Sequence, residues 1–320
     1  MIKDSANSAG KDCFVIILTR YGYIKRIPIS LFSTQGRGGV GRRAIILGDL
    51  DMVEQATAAA SRDHLILFSN VGKAYHLMAE DVPPGSALDK GQSIYKLINL
   101  SRNERIVQLL SLPDLKKKIH IGLATERGIC KRSPIIFYKK IRPSGVVVIG
   151  LRDDDELRDV ITVPDQSDIA LFSLNGHAIR FVIGQTRPTG RNASGVRGIG
   201  LHRRDRLAAM ATAMPDNTFF FLTSRGYGKR LALSELRCFT KRGARGIRVI
   251  TTSERSGHVV GVKTVREKDN AVIITRQGMS IRLNTKRISL QSRASFGVRL
   301  ISLTDQDEVV TAAIIPSKYT

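Results

Sequence analysis

The chain has 320 residues, with 51 Lys+Arg against 28 Asp+Glu and a formal net charge of +23. A field of that size draws in nucleic acid or an anionic surface and says nothing about fold. A hydrophobic content of 42% excludes a disordered basic tail, and no apolar run approaches the roughly twenty residues of a membrane-spanning helix.

Residues 1–12 are polar and read as a linker; the rest, 13–320, reads as one domain. Phe14 to Leu18 is apolar and β-branched, as expected of a strand buried on both faces. Thr19-Arg20-Tyr21-Gly22 then supplies a three-residue hairpin turn with glycine at the left-handed position. The returning strand carries Lys25 and Arg26.

Next comes Gln35-Gly36-Arg37-Gly38-Gly39-Val40-Gly41-Arg42-Arg43, with four glycines and three arginines in nine residues. Bare backbone permits close approach, and guanidinium forks suit phosphate. Two nucleotide motifs overlap these letters. The P-loop fails because Arg42-Arg43 replaces Lys-[Ser/Thr]. The dinucleotide fingerprint needs a following helix, whereas Ala44-Ile45-Ile46-Leu47-Gly48 reads as a short strand.

The hairpin recurs. Its turn glycines are Gly22, Gly72, Gly128, Gly176, Gly226 and Gly278, at intervals of 50, 56, 48, 50 and 52. Four residues after each stands Arg26, His76, Arg132, Arg180, Arg230 or Arg282; one residue earlier stands Lys25, Tyr75, Lys131, Ile179, Lys229 or Ile281. A second basic, glycine-bearing landmark follows each hairpin, including Arg142 to Val146, Arg191 to Gly198, Arg242 to Ile247 and Arg293 to Arg299. Acidic clusters such as Asp153 to Glu156 read as solvated loop ends.

Six units with room for about four strands each indicate an all-β closed ring of blades. Helix is scarce, at most one turn between Leu109 and Lys117. Cys13, Cys130 and Cys238 are odd in number and far apart, so buried thiols in a reducing cytoplasm are expected rather than disulfides. The histidines form no H-x-x-x-H pair, and no metal or cofactor is expected.

A rim of Arg and Lys from successive blades would neutralise phosphates without reading sequence. The candidate contacts are Arg37, Arg42 and Arg43; then Lys25, Arg26, Lys131, Arg132, Arg180, Lys229, Arg230 and Arg282 from the hairpins; then Arg191, Arg197, Arg242, Arg245, Arg293 and Arg299 from the second landmarks. The competing structural role is that strand cations blunt exposed edges or pair with acids. No catalytic constellation stands out. Arg20-Tyr21 is the single Arg-Tyr pair, and its place in a hairpin turn does not fit a DNA-cleaving tyrosine.

These residues resemble the C-terminal domain of the DNA gyrase A protein. Gln35, Arg37, Gly38, Gly39 and Gly41 match its box, Gln-Arg-Arg-Gly-Gly-Lys-Gly, while Gly36 and Val40 replace an Arg and a Lys. Asn175-Gly176-His177-Ala178-Ile179-Arg180 and Gly226-Tyr227-Gly228-Lys229-Arg230 are further phrases of the family. The resemblance implies a six-bladed β-pinwheel whose blades exchange strands and whose rim wraps duplex DNA for negative supercoiling, the box fastening the wrap. It implies a non-catalytic part of an ATP-hydrolysing type II topoisomerase in the cytoplasm at the nucleoid. The implied partners are the gyrase A cleavage-reunion domain and gyrase B. Lys318-Tyr319-Thr320 shows no acidic tail of the kind some relatives carry, so regulation by such a tail is not expected. The alternatives are a topoisomerase IV-like or standalone pinwheel that binds DNA without full chiral wrapping, which Gly36 and Val40 favour, or a protein-binding propeller with an acidic partner.

Overall fold

The computed structural model describes residues 13–116, 118–304 and 306–320; the expected linker at 1–12 lies outside them. Each repeat folds as an antiparallel hairpin, then a loop, a two-residue strand and a longer closing strand. In the first repeat these are Cys13–Thr19, Tyr23–Pro28, Arg42–Arg43 and Val53–Ala60. The other repeats begin at His64–Ser69, His120–Thr125, Asp168–Ser173, Thr218–Thr223 and Asn270–Thr275.

The hairpin turn is closed by the same three devices throughout. Gly22 has φ +82°, and the other five turn glycines lie between +77° and +83°. The Thr or Ser before the turn accepts a hydrogen bond from the amide four residues on, as Thr19 Oγ1 does from Tyr23 N at 3.0 Å. The turn glycine's carbonyl accepts from the neighbouring repeat, as Gly22 does from Ile94 N at 2.7 Å. A Cβ on Gly22 would lie 2.9 Å from Ile94 Cγ2, so the glycine also makes room for the neighbour's isoleucine.

The two-residue strands do not complete their own blades. Gln92–Ser93 of the second repeat pairs with Tyr23–Pro28 of the first. Val146–Val147, Val196–Arg197, Ile247–Arg248 and Val298–Arg299 likewise pair with the hairpin one repeat earlier. Arg42–Arg43 of the first repeat pairs with Met279–Asn284 of the last, which closes the ring. The result is a six-bladed β-propeller of small antiparallel sheets. Five sheets have four strands; the fourth gains Cys238–Phe239, parallel to Arg180-Phe181.

Alternation along the first strand feeds two cores at once. Val15 and Ile17 pack with Val272 and Ile274 of the sixth repeat, whereas Ile16 and Leu18 pack with Leu65 and Leu67 of the second. Each blade–blade interface has such a cluster, and fully burying one Ile or Leu stabilises by about 1.5–3 kcal/mol. Inner strands converge on the axis and are rich in small residues, as in Leu207–Ala213, LAAMATA. Helix is limited among the described residues to single 3-10 turns, six of them after the second strands, as at Ile29–Leu31, and two elsewhere, at Ile94–Lys96 and Ser317–Tyr319. Leu109 lies in the strand Ile106–Leu112, so no helical turn begins there.

Three further expectations are corrected. Ala44 to Gly48 is not a strand: Ala44 N bonds to Gly278 O, and Ile45 is buried against that glycine. Within the acidic clusters, Asp155 and Asp307 are buried caps rather than solvated loop ends, while Asp153 and Asp154 are exposed; Asp155 accepts from Arg127 N at 3.0 Å and Asp307 from Gln277 N at 3.0 Å. Cys13 and Cys130 are buried, but Cys238 is exposed on the added strand.

Candidate nucleic-acid interface

The most regular cations in the sequence hold blades together. Lys25, Lys131 and Lys229 are at most 2% exposed. Lys131 Nζ donates to the carbonyls of Gly190 at 2.7 Å, Arg191 at 2.9 Å and Ala193 at 3.1 Å, all in the loop donated by the next repeat. Lys229 Nζ does the same with Ser292 at 2.7 Å, Arg293 at 3.3 Å and Ser295 at 3.1 Å. Lys25 Nζ reaches the carbonyls of Ser86 and Asp89. Burial pushes Lys131 and Lys229 down to about 8, and pushes Lys25 down against the opposing pull of Asp89.

The arginine one position on works one layer out. Arg26 Nε donates to Val82 O at 2.7 Å and Arg230 Nε to Ile288 O at 2.8 Å; Arg132 Nε donates to Thr186 O. Arg282 Nη1 reaches Ile29 O at 3.3 Å and Phe32 O at 3.2 Å across the closing joint. Arg180 is tied to Asp168 at 2.8 Å and reaches Leu233 O and Leu236 O. Each cation caps carbonyls that the next repeat's 3-10 turn leaves open. The eight hairpin cations are therefore placed in the joints rather than on an open rim. Arg242 is also committed, to Gln185 O at 3.0 Å and Arg197 O at 2.9 Å.

The open cations lie on the loops and strands that are exchanged. Arg37, Arg42, Arg43, Arg197, Arg245, Arg293 and Arg299 are exposed, and Arg191 is half-buried. The second residue after the landmark glycine is Arg43, Ser93, Val147, Arg197, Arg248 or Arg299, in one register on six outer strands. Arg248 is exposed and was not among the residues expected from the sequence; its place two residues after Gly246 was the available signal. Lys90, Arg142 and Lys241 add exposed charge in the same loops. Arg299 Nη2 and Arg255 Nε converge on Tyr227 Oη at 3.3 and 3.0 Å, and these hydrogen bonds lower the tyrosine's pKa.

The glycine-rich stretch crosses the closing joint. Gln35 N donates to Arg282 O at 2.9 Å, Gly38 N to Leu300 O at 2.8 Å, and Ser302 N to Gly39 O at 2.9 Å. Arg37 Nη1 donates to Ser289 Oγ at 2.8 Å. Gly41 sits at φ +76°, and a Cβ there would come 2.5 Å from Ser280 O. Gly36 has open space around it, and Val40 is 70% exposed. The stretch thus straps the first repeat to the last while Arg37, Arg42 and Arg43 face outward. No group of three or more His, Cys, Asp or Glu able to hold a metal occurs among the described residues.

A strand-exchanged six-bladed propeller with cationic exchanged strands defines the class. The family model of the DNA gyrase C-terminal domain, a β-propeller, matches residues 14–53, 63–113, 123–164, 167–213, 217–266 and 269–316, and the chain belongs to that family. The chain is 35% identical over 302 residues to the DNA gyrase A protein of Staphylococcus epidermidis, and 36% identical over 302 residues to that of Staphylococcus aureus. Each alignment covers 93% of this chain and 34% of the relative, so the chain spans about a third of the length of these relatives. A solved structure of a DNA gyrase A C-terminal domain superposes with a TM-score of 0.87 at 28% identity, covering 95% of this chain and all of that one. The C-terminal domain of DNA topoisomerase IV shares the fold, with a TM-score of 0.69 at 21% identity over 96% of this chain and 94% of that one.

Proposed function

We propose that this chain binds duplex DNA along the periphery of the ring and bends it into a wrap, as a non-catalytic part of a gyrase. The observation that carries the reading is the register of Arg43, Arg197, Arg248 and Arg299 on exchanged strands of successive joints. An array at one level of a closed ring offers phosphates a curved track and contacts the backbone rather than base edges. Bending a short site by tens of degrees costs on the order of 1–6 kcal/mol, which many phosphate contacts offset. In this reading the strap at Gln35 to Gly41 fixes the joint at which the wrap begins, and the partners are a gyrase A cleavage-reunion region and gyrase B at the nucleoid. The test is energy transfer between dyes on the two ends of a duplex, titrated with the chain. Approach of the ends supports wrapping; binding with no approach contradicts it.

A second reading has one observation in its favour. Gly36 and the exposed Val40 stand where the family's box has cations. Two fewer charges at the strap favour a pinwheel that binds DNA without completing a chiral wrap.

A further inference from the structure

The joints between repeats 1 and 2, 3 and 4, and 5 and 6 share a loop built over a buried lysine. Residues 86–91, 190–195 and 292–297 are equivalent in this register, each ending on a left-handed glycine with φ +83°, +89° and +87°. A Cβ on Gly91 would lie 2.5 Å from Ile24 O and 3.1 Å from Lys25 Cβ; on Gly195 it would lie 2.6 Å from Cys130 O and 3.1 Å from Lys131 Cβ. The same carbonyls turn inward in each: Ser86 and Asp89 to Lys25, Gly190 and Ala193 to Lys131, Ser292 and Ser295 to Lys229.

What fills the outer side differs. In the first loop Asp89 folds its own carboxylate over the backbone. Its Oδ2 accepts from Ser86 N at 2.7 Å and Ser86 Oγ at 3.1 Å, its Oδ1 accepts from Gly91 N at 3.1 Å, and Lys25 Nζ stands 3.4 Å away. In the 5–6 loop a carboxylate arrives from outside: Glu235 Oε2 accepts from Arg293 N at 3.3 Å. Among the described residues the 3–4 loop has neither. Ala193 occupies the Asp89 position, and the loop carries Arg191 and leads to Arg197.

We propose that residues 190–195 form an oxyanion site for a phosphate-class group, made of the Gly190, Arg191 and Gly195 amides over buried Lys131, with Arg191 beside it. The sister loops show the chemistry, because this backbone already binds carboxylates there. The equivalent amides at Ser86 and Gly91 hold Asp89 and that at Arg293 holds Glu235, and backbone amides gathered around a concavity in this way bind anions. The ligand is an inorganic phosphate or a phosphodiester of DNA. The second source deepens the DNA-binding reading and rests on it. Lys131 is then a positioning residue: it holds the carbonyls inward and so turns the amides outward.

The test uses the 320-residue chain and two reciprocal variants. Ala193→Asp supplies the internal carboxylate that Asp89 provides in the sister loop, and Asp89→Ala removes it there. Ser194→Asp adds the same charge one residue along and controls for general repulsion. Thermal melts establish that all three fold. The amide resonances of Gly190 and Gly195 are followed against inorganic phosphate and, separately, against duplex DNA. The expected result is movement with phosphate in the parent chain, abolished by Ala193→Asp and kept by Ser194→Asp. Movement with duplex alone assigns the site to phosphodiester and also supports the proposal. DNA affinity falls roughly tenfold more in Ala193→Asp than in Ser194→Asp, the scale of a lost hydrogen bond to a charged group, and rises in Asp89→Ala. Amides unmoved by either probe overturn the proposal, as do equal losses in the two Asp variants. If the parent chain retains no duplex, the DNA reading fails, and the phosphate titration alone decides the oxyanion site.

Discussion

Lys131 Nζ lies 2.7 Å from Gly190 O of the following repeat, buried under the loop that carries the outer strand Val196–Arg197 across between blades. The contact makes a buried cation a mechanical part of the ring. Replacing Lys131 by Met leaves the carbonyls of Gly190, Arg191 and Ala193 without their donor, which costs about 1–3 kcal/mol. Urea denaturation measures that loss.

The same burial gives a pH signature. Lys131 titrates near 8 in the folded chain and near 10.5 when unfolded, so between these values the unfolded state holds more protons. Stability from this site therefore rises as pH climbs from about 8 towards 10.5. The stability gap between the parent chain and Lys131→Met should widen over that window, read from denaturation at each pH.

Outer-strand arginines behave in the opposite way. Arg43→Gln, Arg197→Gln, Arg248→Gln and Arg299→Gln should leave the melting temperature nearly unchanged. Each should reduce the salt slope of DNA binding by about 0.9, one phosphate's worth. Filter binding across a salt series checks this, with Arg230→Gln as the contrasting case that lowers stability.

Two glycines of the strap should separate structure from contact. Gly41→Ala meets Ser280 O at 2.5 Å in a left-handed backbone, so it strains the closing joint by about 1–3 kcal/mol from backbone conformation alone. Gly36→Arg meets open space and should fold normally with raised DNA affinity. Melting temperatures and affinities of the two variants give the comparison.

His76 holds the place that Arg holds in the other five hairpins, and its Nε2 is 2.9 Å from His64 Nδ1. Burial, then the neighbouring His64, pushes its pKa below 6.5. A histidine depressed in the folded state contributes stability that is present above 6.5 and lost as pH falls below it. Thermal melts from neutral to mildly acid pH should show that loss. His64→Gln, which removes the neighbouring imidazole, should shrink it.

The repeat, the turn chemistry and the two-sided burial of the first strands were legible in the sequence because they are local. Gly22 and Thr19 act within four residues of each other. What the cations do was not legible, because it depends on partners roughly sixty residues away. Lys131 and Arg197 look alike as letters, yet one is buried under a donated loop and the other stands on the donated strand. The alternation of Lys25, Lys131 and Lys229 with Tyr75, Ile179 and Ile281 was visible and is the mark of a buried position. A surface cation has no reason to trade places with isoleucine. Ring closure by Arg42–Arg43 was hidden because its partner is at the other end of the chain.

Wrapping of DNA around the ring with one hand is tested most directly by topology. Nicked circular DNA is ligated with increasing amounts of the chain, the protein is removed, and topoisomers are resolved. A progressive shift in linking number of a single sign is the predicted result. No shift, while the same DNA remains bound in a gel at the same salt, would contradict it.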